Sequence, residues 1–202
     1  GYLNAFVEAG AIIANPQLAL WHSFSNEAPG DPTDWNYQVR QYGMHTLLYY
    51  LVDVVGVNPE LVTNGFYAET EMLPQEYLYN QIGGEVFRDY FADWAAHNTG
   101  GLDYLTPEQV ERAIQEHQNY GDPETSHPYI ATLSDADIDD VWTFNPCESE
   151  KESCFAPRGW AYNVIKINNS ETATYTFTIN GEASGSKNAE SHFEGRVVTM
   201  TN

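Results

Sequence analysis

The sequence contains few basic residues. Its 202 residues include 8 Lys and Arg but 29 Asp and Glu, so the formal net charge at pH 7 is −21. Nucleic acids and anionic membrane surfaces bind proteins mainly through Lys and Arg, and we therefore expect neither as a partner. The acidity is typical of proteins that stay soluble in a salty medium, and it is also compatible with cation binding. The chain is 42% hydrophobic and 14% aromatic, which is enough apolar mass for a folded core.

Long apolar runs are missing. No stretch reaches the roughly 20 residues that a membrane-spanning helix needs, so membrane insertion is not expected. The first residues also lack the basic region of a signal peptide and an initiating Met. We expect the sequence to be a processed fragment whose true start lies upstream.

Short catalytic motifs are absent as well. The sequence has no His-Glu-x-x-His, no Gly-x-Ser-x-Gly and neither of the common Gly-rich phosphate loops. A protease zinc usually binds two histidines one helical turn apart. No two of the six histidines have that spacing: His22, His45, His97, His117, His127 and His192. We expect this chain to have no peptidase activity and no bound zinc.

Cysteine is scarce, with only 2 in the chain. Six polar residues separate Cys147 from Cys154, and no second Cys or His pair has the spacing of a zinc site. This pattern favours a small disulfide loop, and a disulfide indicates an exported protein. The alternative is two free surface thiols.

The first 125 residues have helical periodicity. Apolar residues recur at helical spacing, and glycine, proline and capping residues divide the pattern into separate helices. Gly56 is placed to end the second of them, and Thr106 begins a capping signature for the last. The predicted helices cover residues 2–14, 37–55, 74–97 with a break at Gly83–Gly84, and 107–119.

From about residue 129, alternation of Thr with aliphatic and aromatic residues replaces helical spacing. The pattern predicts antiparallel strands over residues 161–168, 172–179 and 192–200, with a fourth over 141–144. The fold class is therefore α+β: a helical subdomain at 1–125, a linker with the disulfide loop at 126–158, and an antiparallel β-sandwich-like module at 159–202. We expect Trp142 and Trp160 to join the two parts.

Three alternating carboxylates precede the fourth strand. Asp135, Asp137 and Asp139 match the opening of a calcium loop, in which oxygen ligands occupy positions one, three and five. The match then ends, because Asp140 stands where such a loop has Gly and Pro146 where it has a bidentate Glu. The sequence predicts calcium at these three aspartates, and the alternative is a solvated acidic turn.

Aromatic and histidine residues cluster in the first quarter of the chain. Such a wall of rings with a carboxylate suits sugar recognition by stacking and hydrogen bonding. Ordinary core packing is the alternative explanation. The candidate cleft residues are Trp21, His22, Glu27, Trp35 and His45.

The order of several segments resembles one protease group. Residues 1–6, 15–21 and 40–51, followed by Gly56, are similar to the helical region downstream of the zinc helix in secreted bacterial zincin-like metalloproteases, including immune-inhibitor-A-like proteases. In those families a similar Tyr-Gly and aromatic-aliphatic helix packs behind the active site. Residues 161–168 and the Thr-rich strand after them resemble the small β-domain that follows there. The zinc helix itself is missing, so no catalytic residue of the family can be placed on this sequence.

The resemblance implies a non-catalytic C-terminal portion of a secreted zincin-like metalloprotease, or of a pseudo-protease relative. Its partner would be an upstream catalytic domain of the same precursor. The alternative is a secreted or cell-surface module that binds a glycan or an extracellular protein with calcium support. An independent hydrolase with unrecognised carboxylates is a third candidate. We expect a secreted or cell-surface location in a bacterium, in a marine or salt-adapted setting.

Overall fold

The computed structural model of the protein describes residue 16 and residues 45–67, 74–120, 129–134, 160–168, 174–178 and 194–199. Most of these residues are helical, and two short strands follow the helices. The elements are α1 (His45–Tyr49) continued by a π-helical turn (Tyr50–Val54), α2 (Pro59–Tyr67), α3 (Pro74–Ile82), α4 (Gly84–Thr99), α5 (Pro107–Tyr120), β1 (Tyr129–Leu133) and β2 (Val164–Ile167).

Local signals explain where the helices begin and end. Gly83 separates α3 from α4 with a φ of +103°, a left-handed value that favours glycine. At the start of α5, the backbone N–H of Thr106 donates to Oε1 of Gln109 at 2.9 Å, and the N–H of Gln109 donates to Oγ1 of Thr106 at 3.3 Å. This is a reciprocal capping box. The break at Gly83–Gly84 and the cap at Thr106 are confirmed.

The helix predicted over 37–55 is described from His45 onward, and its last turn widens into the π-helical segment. Two backbone bonds close it: the N–H of Val55 donates to the carbonyl of Tyr50 at 3.0 Å, and that of Val57 to the carbonyl of Leu51 at 2.8 Å. Gly56 ends the helix with a φ of +83°. The glycine stop predicted at this position is therefore confirmed.

Helix α4 lies at the centre of the hydrophobic core. Its residues Phe87, Phe91 and Trp94 are buried, and Trp160 packs on two of them, with ring centroids 4.9 Å from Phe87 and 5.4 Å from Phe91. The expected role of Trp160 in joining the later part of the chain to the helices is confirmed, whereas Trp142 lies outside the described residues. The core cluster consists of Leu47, Tyr50, Leu51, Val62, Leu78, Phe87, Phe91 and Trp94.

The antiparallel β-sandwich prediction is wrong. The described part of the chain contains one open sheet of two strands, and β1 pairs with β2 in parallel, from Tyr129 opposite Val164 to Leu133 opposite Ile167. The strand predicted over 161–168 exists as the shorter β2. Residues 174–178 and 194–199, taken from the other two predicted strands, are neither helix nor strand. Residues 141–144 lie outside the described residues.

The burial of the described residues is not that of a sandwich. A sandwich would bury the apolar residues of this region against a second sheet. Trp160 instead packs on the helical core, and Tyr162 lies edge-on to Trp94 of α4, with ring centroids 6.1 Å apart. Phe177 and Val197 remain 57% and 87% exposed. Trp160 and Tyr162 therefore add their side chains to the helical core.

Strand β1 falls within residues 126–158, the range that the sequence analysis assigns to a linker. Leu133, its last residue, is buried, and its carbonyl accepts a bond from the N–H of Asn168 at 2.8 Å. No helix in the described ranges is long and apolar enough to cross a bilayer.

Candidate functional site

Of the residues that the sequence nominates for sites, only His45 is described. It is the first residue of α1 and is half-buried. Tyr49, one turn later, packs toward Tyr104 with ring centroids 6.4 Å apart. The remaining nominated residues lie outside the described residues: Trp21, His22, Glu27, Trp35, Asp135, Asp137, Asp139, Cys147 and Cys154. The cleft, the calcium loop and the disulfide therefore stay predictions.

The structure brings together a different polar pair at the end of α4. His97, in the last turn, donates from Nδ1 to Oδ1 of Asp103 at 2.5 Å. Gly101 has a φ of +102°, and the N–H of Leu102 donates to the carbonyl of His97 at 2.8 Å. This is the Schellman arrangement at a helix C-terminus. It folds the chain back over the last turn and sets Asp103 beside His97.

Leu102 holds this turn in place. It has a φ of +59°, which is unfavourable for a residue with a Cβ, but its side chain is only 2% exposed. Leu102 and Leu105 are buried together with Ala113 of α5. Their burial stabilises the left-handed backbone and ties the turn to the next helix.

A chain of hydrogen bonds runs through the core beneath this pair. Nε1 of Trp94 donates to the hydroxyl of Tyr104 at 3.1 Å, and that hydroxyl donates to Oδ1 of Asn98 at 2.7 Å. Nδ2 of Asn98 donates to the hydroxyl of Tyr162 at 3.3 Å. Trp94 and Asn98 are almost fully buried, so these bonds satisfy groups that water cannot reach.

Burial raises the pKa of Tyr104 well above its ordinary value, although hydrogen bonds from Thr46 and Trp94 oppose part of that effect. The hydroxyl is therefore protonated at neutral pH. A protonated hydroxyl is what the bond to Asn98 requires, since the hydroxyl is the donor in that bond.

His97 lies between two tyrosine rings. The ring centroids are 5.4 Å apart for Tyr50 and His97 and 6.2 Å apart for His97 and Tyr104. Burial raises the pKa of Tyr50, and the negative charges of Asp93 and Asp103 raise it further, whereas Arg196 lowers it. The polar end of Tyr50 thus lies in a negative field, which favours its neutral form.

Arg196 joins a remote part of the chain to the acidic edge of α4. Its Nε donates to Oδ1 of Asp93 at 2.6 Å, and its Nη2 donates to Oδ1 of Asp89 at 2.8 Å. The two carboxylates lie one helical turn apart, and their hydrogen bonds raise the pKa of Arg196. Arg196 therefore links residues 194–199 to α4 by charge.

The His97–Asp103 pair lies at the surface, where the side chain of His97 is 37% exposed and that of Asp103 is 63% exposed. Among the described residues, no group of three His, Cys, Asp or Glu side chains could hold a metal ion. The described polar groups on this side of α4 are engaged with one another: His97 with Asp103, and Arg196 with Asp89 and Asp93.

The histidine spacing gives no indication of this cluster, because His97 has no second histidine one turn away. The available signal was the Gly100–Gly101 dipeptide, which begins three residues after His97 and indicates a helix end at which the chain reverses. No signal local to α4 marks the partnership with Arg196, since the two segments are far apart in the sequence.

The comparisons with known proteins give no relative from which a role could be transferred. No protein-family model matches the chain, and neither the curated proteins nor the solved structures yield a significant match.

Proposed function

We propose that this chain is the non-catalytic C-terminal portion of a secreted zincin-like metalloprotease, or of a relative without the zinc helix. Its partner is an upstream catalytic domain of the same precursor. The order of segments 1–6, 15–21, 40–51 and 161–168 supports this assignment, because it follows the order of the region that comes after the zinc helix in those proteases.

The observation that carries the proposal is the use of α4 as an internal scaffold. One face of the helix binds Trp160 through Phe87 and Phe91, and its last turns bind Tyr162 through Trp94 and Asn98. These contacts connect parts of the chain that are far apart in sequence. They support a structural role for α4 more than a role in chemistry.

The polar edge of α4 supports the same conclusion. Asp89 and Asp93 bind Arg196, and His97 binds Asp103, so these polar groups are paired within the chain. The buried bonds from Trp94 to Tyr104 and from Tyr104 to Asn98 are likewise internal.

Two measurements test the proposal. The first is hydrolysis of casein by the purified chain with added zinc, together with metal analysis. We expect no chelator-sensitive cleavage and no stoichiometric zinc, because a protease zinc needs three protein ligands and an open position for water. The second is the sequence encoded immediately upstream, where we expect a His-Glu-x-x-His helix within about one domain length. A chain that cleaves casein with its own zinc would contradict the proposal. An upstream region without that helix would exclude an active protease and leave the relative without the zinc helix.

The second candidate is a glycan- or protein-binding module, and the exposure of Phe177 favours it. The ring is 57% exposed and is flanked by exposed Thr176 and Thr178. An exposed aromatic ring with neighbouring hydroxyls is suited to stacking on a sugar. Binding of soluble polysaccharides by the chain and by Phe177→Ala, measured by affinity electrophoresis with and without calcium, tests this candidate. Equal mobility of the two proteins in every gel would exclude Phe177 as a sugar-binding residue.

A further inference from the structure

Residues 194–199, which we call the strap, lie against α4 while remaining largely exposed. Val197 is 87% exposed, and Val198 is half-buried. Cγ1 of Val198 lies beside Gly100, 3.3 Å from where a Cβ on that residue would be. Apolar burial therefore contributes little to holding the strap in place.

The described contacts between the strap and α4 are mainly ionic. The side chain of Arg196 is only 29% exposed, and its guanidinium binds Asp93 through Nε and Asp89 through Nη2. Nη1 donates to the carbonyl of Gly195 at 3.0 Å and lies 3.7 Å from Glu194. Without Arg196, the two like charges one turn apart on α4 would repel each other. Strap and helix therefore each depend on the other for charge compensation.

Partly exposed ion pairs such as those of Arg196 weaken as the salt concentration rises. The carboxylates of Asp89 and Asp93 are 59% and 44% exposed, so mobile ions can reach them. The Debye length falls from about 10 Å at 0.1 M salt to about 3 Å at 1 M, whereas salt does not weaken apolar contacts in this way. We propose that Arg196 is an ionic latch, which holds the strap on α4 at low ionic strength and releases it as the salt concentration rises.

Trypsin cleavage after Arg196 measures the state of the latch directly. Trypsin must bind the arginine side chain in its own acidic pocket, so a guanidinium held by Asp89 and Asp93 is not available to it. In the full chain, we expect the rate of cleavage at Arg196–Val197 to rise about tenfold between low and high salt, because two partly exposed ion pairs are screened. A synthetic peptide with the sequence of residues 194–199 corrects for the effect of salt on trypsin.

Three variants separate charge from geometry. Asp89→Asn with Asp93→Asn should be cleaved rapidly at every salt concentration. Arg196→Lys keeps the charge and the cleavage site, but an ammonium does not reproduce the planar two-pronged contact, so its rate at low salt should lie between those of the native chain and the double variant. Glu108→Gln is the matched control, because it removes the exposed ion pair of Arg112 on α5 and should leave cleavage at Arg196 unchanged.

Circular dichroism of each variant confirms that cleavage is measured on folded protein. If the variant with both Asp89→Asn and Asp93→Asn does not fold, Arg196→Lys still tests the latch. The proposal is overturned if the native chain is cleaved at the peptide's rate in low salt. It is also overturned if protection stays the same across the salt series, or if the folded double variant is as well protected as the native chain.

Discussion

The ring of Trp160 lies edge-on to the ring of Phe91, with centroids 5.4 Å apart and planes at 76°. Edge-to-face pairs at this distance are favourable beyond the apolar area that they bury. Trp160 has the same type of contact with Tyr79 of α3, at 6.0 Å and 67°. One tryptophan outside the helices therefore contacts α3 and α4 together, despite a φ of +54° at its own backbone.

We expect Trp160→Ala to lower the free energy of unfolding by about 2–4 kcal/mol, because removing a large half-buried ring leaves a cavity beside Tyr79, Phe87 and Phe91. Trp160→Phe should lower the free energy of unfolding by a smaller amount. Phe177→Ala is the matched control, since its ring is 57% exposed and its loss should cost no more than about 0.5 kcal/mol. Urea unfolding followed by circular dichroism measures all three. Equal midpoints for Trp160→Ala and Phe177→Ala would show that Trp160 does not join the two parts.

Tyr104→Phe should destabilise the fold by about 1–3 kcal/mol, because Oδ1 of Asn98 and Nε1 of Trp94 each lose a partner in a buried site. Thermal or urea unfolding at neutral pH measures the loss. Tyr77→Phe serves as the control, because Tyr77 is a partly buried tyrosine at the edge of the core and has no described hydrogen bond. A Tyr104→Phe variant as stable as Tyr77→Phe would contradict the network.

The raised pKa of Tyr104 also predicts how this stability changes in alkali. The unfolded chain loses the phenolic proton as the pH passes about 10, whereas the folded chain keeps it. The stability due to the neutral hydroxyl is therefore fully present below pH 10 and is lost as the pH rises above it, by about 1.4 kcal/mol per pH unit. The stability difference between the native chain and Tyr104→Phe should shrink from pH 10 upward. A constant difference would mean that Tyr104 ionises equally in both states.

The helices could be predicted from sequence because the residues that end them are local. The cap formed by Thr106 and Gln109, and the left-handed glycines at Gly56 and Gly83, act within a few residues of where they stand. The sandwich prediction is wrong for a physical reason. Alternation over 172–179 shows that one face is apolar, but it does not show what covers that face.

The candidate site depends on contacts that have no local signature. His97 and Asp103 meet because Gly101 and Leu102 both adopt a left-handed backbone conformation. A leucine in the sequence does not predict that conformation. Arg196 reaches α4 from the far end of the sequence. The charges of these residues were visible in the sequence, whereas their pairing was not.

Cys147 and Cys154 are expected to form a disulfide, although both lie outside the described residues. A disulfide that closes so short a loop removes little entropy from the unfolded chain. Removing the disulfide should therefore lower the free energy of unfolding by about 2–3 kcal/mol at most. Thiol titration in denaturant without reductant should find no free thiol, and the same titration after reduction should find both. Two thiols in the unreduced protein would contradict the pairing.

Asp135, Asp137 and Asp139 are expected to bind calcium, because three alternating carboxylates repel one another without a cation. A ligand that binds only the folded state raises its stability by mass action, by about 2.7 kcal/mol at a hundredfold excess over the dissociation constant. Thermal melts with millimolar calcium and with chelator test this, and Asp137→Asn should reduce the shift. A midpoint that is the same in calcium and in chelator would remove the assignment.

Gly101→Ala is expected to lower the free energy of unfolding by about 1–2 kcal/mol, because alanine at a φ of +102° is strained although no atom lies within 4 Å of its Cβ. The same substitution at Gly195 is the matched control, since its Cβ would also meet open space and its backbone is not left-handed. The strain should loosen the turn that holds Asp103 against His97. Urea midpoints give the stability, and amide hydrogen exchange at Leu102, whose N–H bonds to the carbonyl of His97, should accelerate in the Gly101 variant alone. If both variants lose the same stability and Leu102 exchanges at the native rate, the left-handed glycine is not what places Asp103 beside His97.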